Sequence, residues 1–443
     1  MLFRSGHDGI SIRMIQLSFQ SIIKPLFLIY KNCIECSSFP VEWKKGCIIP
    51  IHKKGDKQLV SNYRPISLLP IFSKIFERIL FNNLFKYLDQ HALLNPNQSG
   101  FRPGDSCIHQ LISITHDIYE NFDSNPTQEV RGLFLDISKA FDRVWHLGLL
   151  YKIKNFGING KFFDLIESFL SERYQQVTIN GQSSHWLPIK AGVPQGSILG
   201  PLLFLIFIND LPDGLQSNVK LFADDTALFS KVDSPVGTAN ELNLDLKKVN
   251  DWALKWKMLF NPDSTKPVKE VIFSRKINKV NHPELIFNDV KINNCASEKH
   301  LGLILDKKLN FKEHSVEKIN KAMKIVGTIK KLRNILPRSS LLTIYKSLVR
   351  PHLDYGDVIY AQINNQNFTE RIESVQYNAA LAITGAIRGT SRDKLYKELG
   401  MESLQNRQWI GRLCYFYKVF TTKSPTYLFD YLPPKSISQR YTL

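Results

Sequence analysis

Two short apolar runs that carry carboxylates constrain this chain most. The first, GLFLDI (Gly132–Ile137), ends on Asp136; the second, LFADDTALFS (Leu221–Ser230), holds Asp224 and Asp225 between two apolar half-strands. Consecutive apolar residues over so short a stretch read as buried strand. Adjacent side chains on a straight strand point to opposite faces, but at a tight hairpin turn both carboxylates can reach one side. If strand 132–137 lies beside that hairpin, Asp136, Asp224 and Asp225 converge. Neighbouring acids bordered by buried strands repel one another unless a cation neutralises them. Hard oxygen ligands in that arrangement suit Mg²⁺, completed by substrate phosphates and water. An isolated Asp-Asp pair, by contrast, reads as a surface turn.

Composition narrows the class. The 443 residues carry 58 Lys and Arg against 40 Asp and Glu, a formal net charge of +18. Residues 1–230 hold 23 basic and 20 acidic side chains (net +3) and residues 231–443 hold 35 and 20 (net +15). A bias of that size in one half marks a surface for a polyanion. The apolar run Ile198–Ile208 is broken by Gly200 and Pro201 and is too short to span a bilayer, and the N-terminus has no signal-peptide pattern. Six cysteines are too sparse for a disulfide scaffold. Cys33, Cys36, Cys47 and His52 imitate a zinc spacing, but no second close pair follows.

Helical periodicity runs through Met14–Ile34, Ile66–Tyr87 and Cys107–Phe122, with a basic strand-and-loop stretch over Trp43–Lys57. After strand 132–137, Ser138 opens a helical pattern, and a further helix covers Lys161–Leu170. Gln176–Ile189 reads as a hairpin turning at Asn180-Gly181. Ser197–Asn209 reads as a buried helix, Val219–Ser230 as two strands, and Asn240–Met258 as an amphipathic helix. Val271–Phe273 and His300–Leu305 read as strands, and the chain beyond Lys318 is mainly helical. Strands with helices packed to one side predict an α+β fold.

The segments around the acids are more specific than the acids themselves. LDISKAFDRVWH (Leu135–His146), AGVPQGSILGPLLFLIFINDLP (Ala191–Pro212) and LFADDTALFS resemble motifs A, B and C of non-LTR retrotransposon reverse transcriptases, the jockey-like branch above all. NYRPISLLPIFSKIFERIL (Asn62–Leu80) and NQSGFRPGDS (Asn97–Ser106) resemble that group's finger motifs. KHLGLILD (Lys299–Asp306) resembles its primer grip, and RPHLDYGDVIY (Arg350–Tyr360) its post-palm segment.

The resemblance implies that Asp136, Asp224 and Asp225 are the metal-binding triad, holding two Mg²⁺ ions (or Mn²⁺). It implies that Phe141, otherwise a core aromatic on a new helix, is the steric gate against a ribonucleotide 2′-hydroxyl. Gln195 and Gly196 match the turn that contacts nucleotide and template; glycine there allows close backbone approach, and Ser197 is also a good N-cap. Arg64 and Arg102 match the basic finger residues near an incoming triphosphate. Lys266, followed here by an unusual Pro267, matches a proton donor to pyrophosphate, and the Leu301-Gly302 turn matches the support of the primer end.

The implied fold is a right-hand polymerase with fingers, a ferredoxin-like palm sheet and a thumb. A helical extension over residues 1–46 precedes fingers and palm over 47–306, and a helical thumb and C-terminal extension follow over 307–443. The expected reaction is RNA-directed DNA polymerisation with an RNA template, a DNA primer and dNTPs. An element-encoded RNA-binding protein is a further expected partner. No endonuclease or zinc knuckle is recognisable, so the chain reads as a fragment of a mobile element acting in the nucleus or cytoplasm, without membrane attachment. The rival readings are an inactive or domesticated remnant that binds nucleic acid, and another palm polymerase such as a viral RNA-copying enzyme or an intron maturase.

Overall fold

The computed structural model describes residues 6–260, 268–278, 280–360 and 366–432. Its centre is a five-stranded sheet in the order Asn293–Asn294, Lys269–Phe273, Val130–Asp136, Asp225–Lys231, Asn218–Phe222. The first pairing is parallel and the other three are antiparallel, and the hairpin joining the last two strands turns on Ala223 and Asp224. Along the middle strand, Leu133 and Leu135 enter one apolar core while Val130 and Phe134 enter another. The sheet is therefore covered on both faces, not on one as the sequence pattern predicts. The apolar residues at successive positions of that strand require this: period-2 alternation sends every second one to the opposite face.

The first core is built by helices Ile71–Gln90, His146–Asn155, Gly160–Leu170, Gly200–Ile208 and Pro235–Trp256. Helix Gly200–Ile208 is buried all round, which is why it is apolar at every position from Leu202 onward. Both its ends meet buried charge. Glu77 accepts from the backbone N–H of Ile198 and Leu199 just before its N-terminus. Lys152 donates to the Phe207 carbonyl and the Asp210 carboxylate at its C-terminus. Anion at the start and cation at the end both complement the helix dipole. Burial among Phe207, Trp252 and Trp256 pushes the Lys152 ammonium down to about 8.

The second core joins helix Cys107–Asp123 and the other face of the sheet to hairpin Ser297–His300/Leu303–Asp306 and helices beyond Lys312. The C-terminal helices close back on helix Cys107–Asp123. Tyr427 donates to Asp105 at 2.8 Å and Tyr431 to Asp117 at 2.8 Å, and Tyr431 lies against His116 with ring centroids 4.1 Å apart. A smaller sheet stands apart from the central one, with Lys45–His52 between Tyr63–Leu68 and Arg173–Ile179.

Some boundaries differ from the sequence pattern. Ile66 lies in strand Tyr63–Leu68, and the helix expected from it starts at Ile71 behind Pro70. The helix expected at Ser138 is a left-handed Lys139, one 3-10 turn at Ala140–Arg143, and a helix only from His146. The strand read over His300–Leu305 is the tip of a hairpin whose two turn residues, Leu301 and Gly302, have positive φ. Helix Ile12–Glu35 is, by length and composition, apolar enough to cross a membrane, a property hidden in the sequence by Lys24-Pro25. Its C-terminal part lies on the protein, with Tyr30 stacked on Phe76 at 5.0 Å and donating to the Phe72 carbonyl at 2.9 Å.

Candidate active site

Backbone register pairs two of the acids and leaves the third at the adjoining turn. Asp136 and Asp225 are direct cross-strand partners, and Asp225 closes the hairpin opposite Phe222 with Asp224 just before it. Cross-strand partners project from the same face with Cβ atoms about 4.5–5.5 Å apart, and like charges so placed are destabilising. All three are half-buried at the end of the sheet. Among the described residues no three His, Cys, Asp or Glu side chains are gathered into a cation cage. Two of the three carboxylates are thus direct partners and the third occupies the turn. The donor set, oxygen only and uniformly anionic, fits a hard divalent cation.

The segment after Asp136 meets the Ala191–Gly196 turn. Val193 N–H donates to the Phe141 carbonyl at 2.8 Å, and Gln195 Nε2 donates to Asp142 Oδ1 at 3.0 Å. Desolvation raises the Asp142 pKa, opposed by the Gln195 hydrogen bond and by Lys139 and Lys53. Phe141 is half-buried, stacked on Phe204 at 4.7 Å and met edge-on by Phe101 at 5.9 Å. Gly196 has φ +132, and a Cβ there would stand 2.4 Å from the Ser67 carbonyl oxygen. Its close backbone approach is therefore to strand Tyr63–Leu68, which also donates from Ser67 N–H to the Gln195 carbonyl at 2.7 Å.

The remaining expected residues are placed as follows. Arg64 is exposed on strand Tyr63–Leu68, opposite Ile51. Arg102 donates to the Asn95 carbonyl at 3.2 Å and so braces its own loop. The Leu301 carbonyl accepts from the Tyr355 hydroxyl, which also meets the Cys107 thiol. That thiol lies near enough to Asp225 for the carboxylate to raise its pKa, after burial. The Leu301-Gly302 hairpin is thereby tied toward the acids through Tyr355 and Cys107. Lys266 lies outside the described residues.

Sequence reasoning missed Lys53, Lys139 and Asp142, which share an electrostatic neighbourhood beside Gln195. Two signals were available, the basic HKKG stretch and the second acid of the DISKAFD run. It also missed Gln98, whose carboxamide touches the hairpin turn.

Residues 51–300 match the family described as Reverse transcriptase (RNA-dependent DNA polymerase). The chain belongs to the reverse transcriptase family. It is 33% identical over 419 residues to the RNA-directed DNA polymerase from mobile element jockey of Drosophila melanogaster, covering 90% of this chain and 44% of the relative. It is 30% identical over 415 residues to the probable RNA-directed DNA polymerase from transposon X-element of the same species, with the same coverage of 90% and 44%. The chain thus spans less than half the length of these curated relatives. Among solved structures, apo telomerase from Candida tropicalis superposes with a TM-score of 0.48 at 12% identity, over 85% of this chain and 64% of that one. The family match takes in the three acids, Phe141 and the Gln195-Gly196 turn.

Proposed function

We propose that the chain is the RNA-directed DNA polymerase of a non-LTR retrotransposon, extending a DNA primer on an RNA template with dNTPs. The observation that carries this reading is the pairing of Asp136 with Asp225 across the ladder, with Asp224 at its turn. The central sheet is then the palm of a right-hand polymerase, the smaller sheet belongs to the fingers, and the helices beyond Lys312 to the thumb.

Asp136, Asp224 and Asp225 would hold the divalent ions. Bound Mg²⁺ would favour the primer 3′-alkoxide and offset charge on the departing pyrophosphate. The chain's own residues supply position. Phe141, backed by Phe204, presents a rigid aromatic face where a 2′-hydroxyl would sit. Gln195, oriented by Asp142, borders the nucleotide, and the exposed guanidinium of Arg64 with Lys53 offers donors to triphosphate oxygens. Phosphoryl transfer asks little more than alignment and charge neutralisation.

Primer extension on an RNA template with Mg²⁺ and dNTPs tests the reading, with Asp224→Ala/Asp225→Ala as control. Extension by the parent and none by the double variant supports it. A folded, RNA-binding parent that extends nothing would leave the inactive remnant as the better account.

A further inference from the structure

The turn that carries Asp224 is held from outside its own hairpin. The finger segment Asn97–Phe101 docks on strand Asn218–Phe222, the edge of the central sheet. Leu221 N–H donates to the Asn97 carbonyl at 2.9 Å, and Ser99 N–H returns to the Leu221 carbonyl at 2.9 Å. The segment thus forms a short parallel bridge, Gln98 to Leu221. A second glutamine, Gln110, donates to the Leu221 carbonyl at 3.0 Å.

Between these backbone contacts lies the Gln98 side chain, in a residue only 4% exposed. Its Oε1 accepts from Ala223 N–H at 2.9 Å and from Gly100 N–H at 2.8 Å, and its Nε2 reaches the Ala223 carbonyl at 3.5 Å. Ala223 is the first residue of the two-residue turn, where the ladder offers its N–H no partner, and a buried amide left unpaired is costly. It also has φ +55, a conformation non-glycine residues seldom adopt. The space is closed as well. A Cβ on Gly100 would stand 2.3 Å from the Ala223 nitrogen and 2.9 Å from the Phe222 carbonyl carbon.

We propose that Gln98 is a positioning residue for the catalytic hairpin: its carboxamide holds Ala223 and so sets the aim of Asp224 and Asp225. It touches neither metal nor substrate, and it acts through a turn whose relaxation would re-aim both carboxylates. The inference rests on the reading of those two acids as catalytic.

The test has an arm that does not depend on activity. Gln98→Leu removes both ends of the clamp at similar volume, and Gln98→Glu keeps an acceptor for both N–H groups. Hydrogen exchange of the peptide spanning 219–226 should speed up in Gln98→Leu and return toward the parent rate in Gln98→Glu. In primer extension, Gln98→Leu should lose about tenfold to a hundredfold in kcat. Its KM for dNTP should stay within about threefold, because nucleotide binding is untouched, while half-maximal activity moves to higher Mg²⁺. Gly100→Ala, whose Cβ would press on the Ala223 nitrogen and on Gln98 Oε1 while the carboxamide itself is kept, should reproduce the kcat loss. Unchanged exchange in folded Gln98→Leu overturns the clamp, and faster exchange with unchanged kcat overturns the positioning role. A parent without polymerase activity would sink the catalytic reading alone, and the exchange arm would still decide whether Gln98 holds the turn.

Discussion

Glu77 and Ser197 share a hydrogen bond of 2.5 Å across 120 residues of sequence, hydroxyl donating to carboxylate. Glu77 is fully buried, and its other oxygen accepts from Ser73 at 2.9 Å. It stands where helix Gly200–Ile208 begins and offsets the buried charge of Arg173. Glu77→Ala would leave orphan N–H groups at that helix start and an uncompensated guanidinium, and should cost about 3–5 kcal/mol. Glu77→Gln, which keeps the shape, should cost about 1–3 kcal/mol. Denaturant melts of the two variants measure the difference.

Asp136 and Asp225 stand directly opposite on the ladder, so a divalent cation held between them should stabilise the fold. Asp225→Asn should lose that gain and abolish primer extension. Thermal melts with and without Mg²⁺ read the first effect: the parent should gain from the ion and the variant should not.

Phe141 is half core and half surface, and its replacement should show both characters. Phe141→Val loses stacking on Phe204 and the edge contact with Phe101, at about 1–3 kcal/mol. The ratio of kcat/KM for dNTP over rNTP should fall by about tenfold or more. An unchanged ratio in a folded variant would assign the residue to packing alone.

His300 and His314 are both held neutral in the fold. Burial lowers each pKa from 6.5 to about 4, with Lys318 a lesser cause at His314. His300 lies against Phe134 at 5.3 Å, and His314 Nδ1 accepts from Ile304 N–H at 3.3 Å, so both secure the Leu301-Gly302 hairpin. The unfolded chain takes up protons below pH 6.5 and the fold does not. Stability from this source is full above 6.5 and is lost as pH falls toward 4. His300→Phe should flatten that slope in stability measured from pH 7 to 4.

The strands that carry the acids, the hairpin at Asn180-Gly181 and the buried helix ending at Ile208 were legible because local pattern decides them: apolar runs and turn residues; the helix begins at Gly200 rather than at Ser197. Ile66 misled because its apolar spacing continues into the next helix, and only Pro70 marks the break. Cover on both faces of Val130–Asp136 was implicit in its consecutive apolar residues Leu133, Phe134 and Leu135, but the covering residues lie as far off as Leu404. Glu77, Lys152 and Gln98 could not be read. Each resembles an ordinary surface polar residue until tertiary contacts bury it beside backbone groups that need a partner.

The contacts of Tyr427 with Asp105, just ahead of helix Cys107–Asp123, and of Tyr431 with Asp117 within that helix span 322 and 314 residues. On the ribosome, every strand of the central sheet emerges long before either tyrosine exists. Helix Cys107–Asp123, whose first turn lies beside Asp225, must wait for them with part of its surface bare. A product released soon after Asp306 would own all three acids and still lack this brace. Contacts of such long sequence separation are slow to close, and these fall next to the site of chemistry rather than far from it.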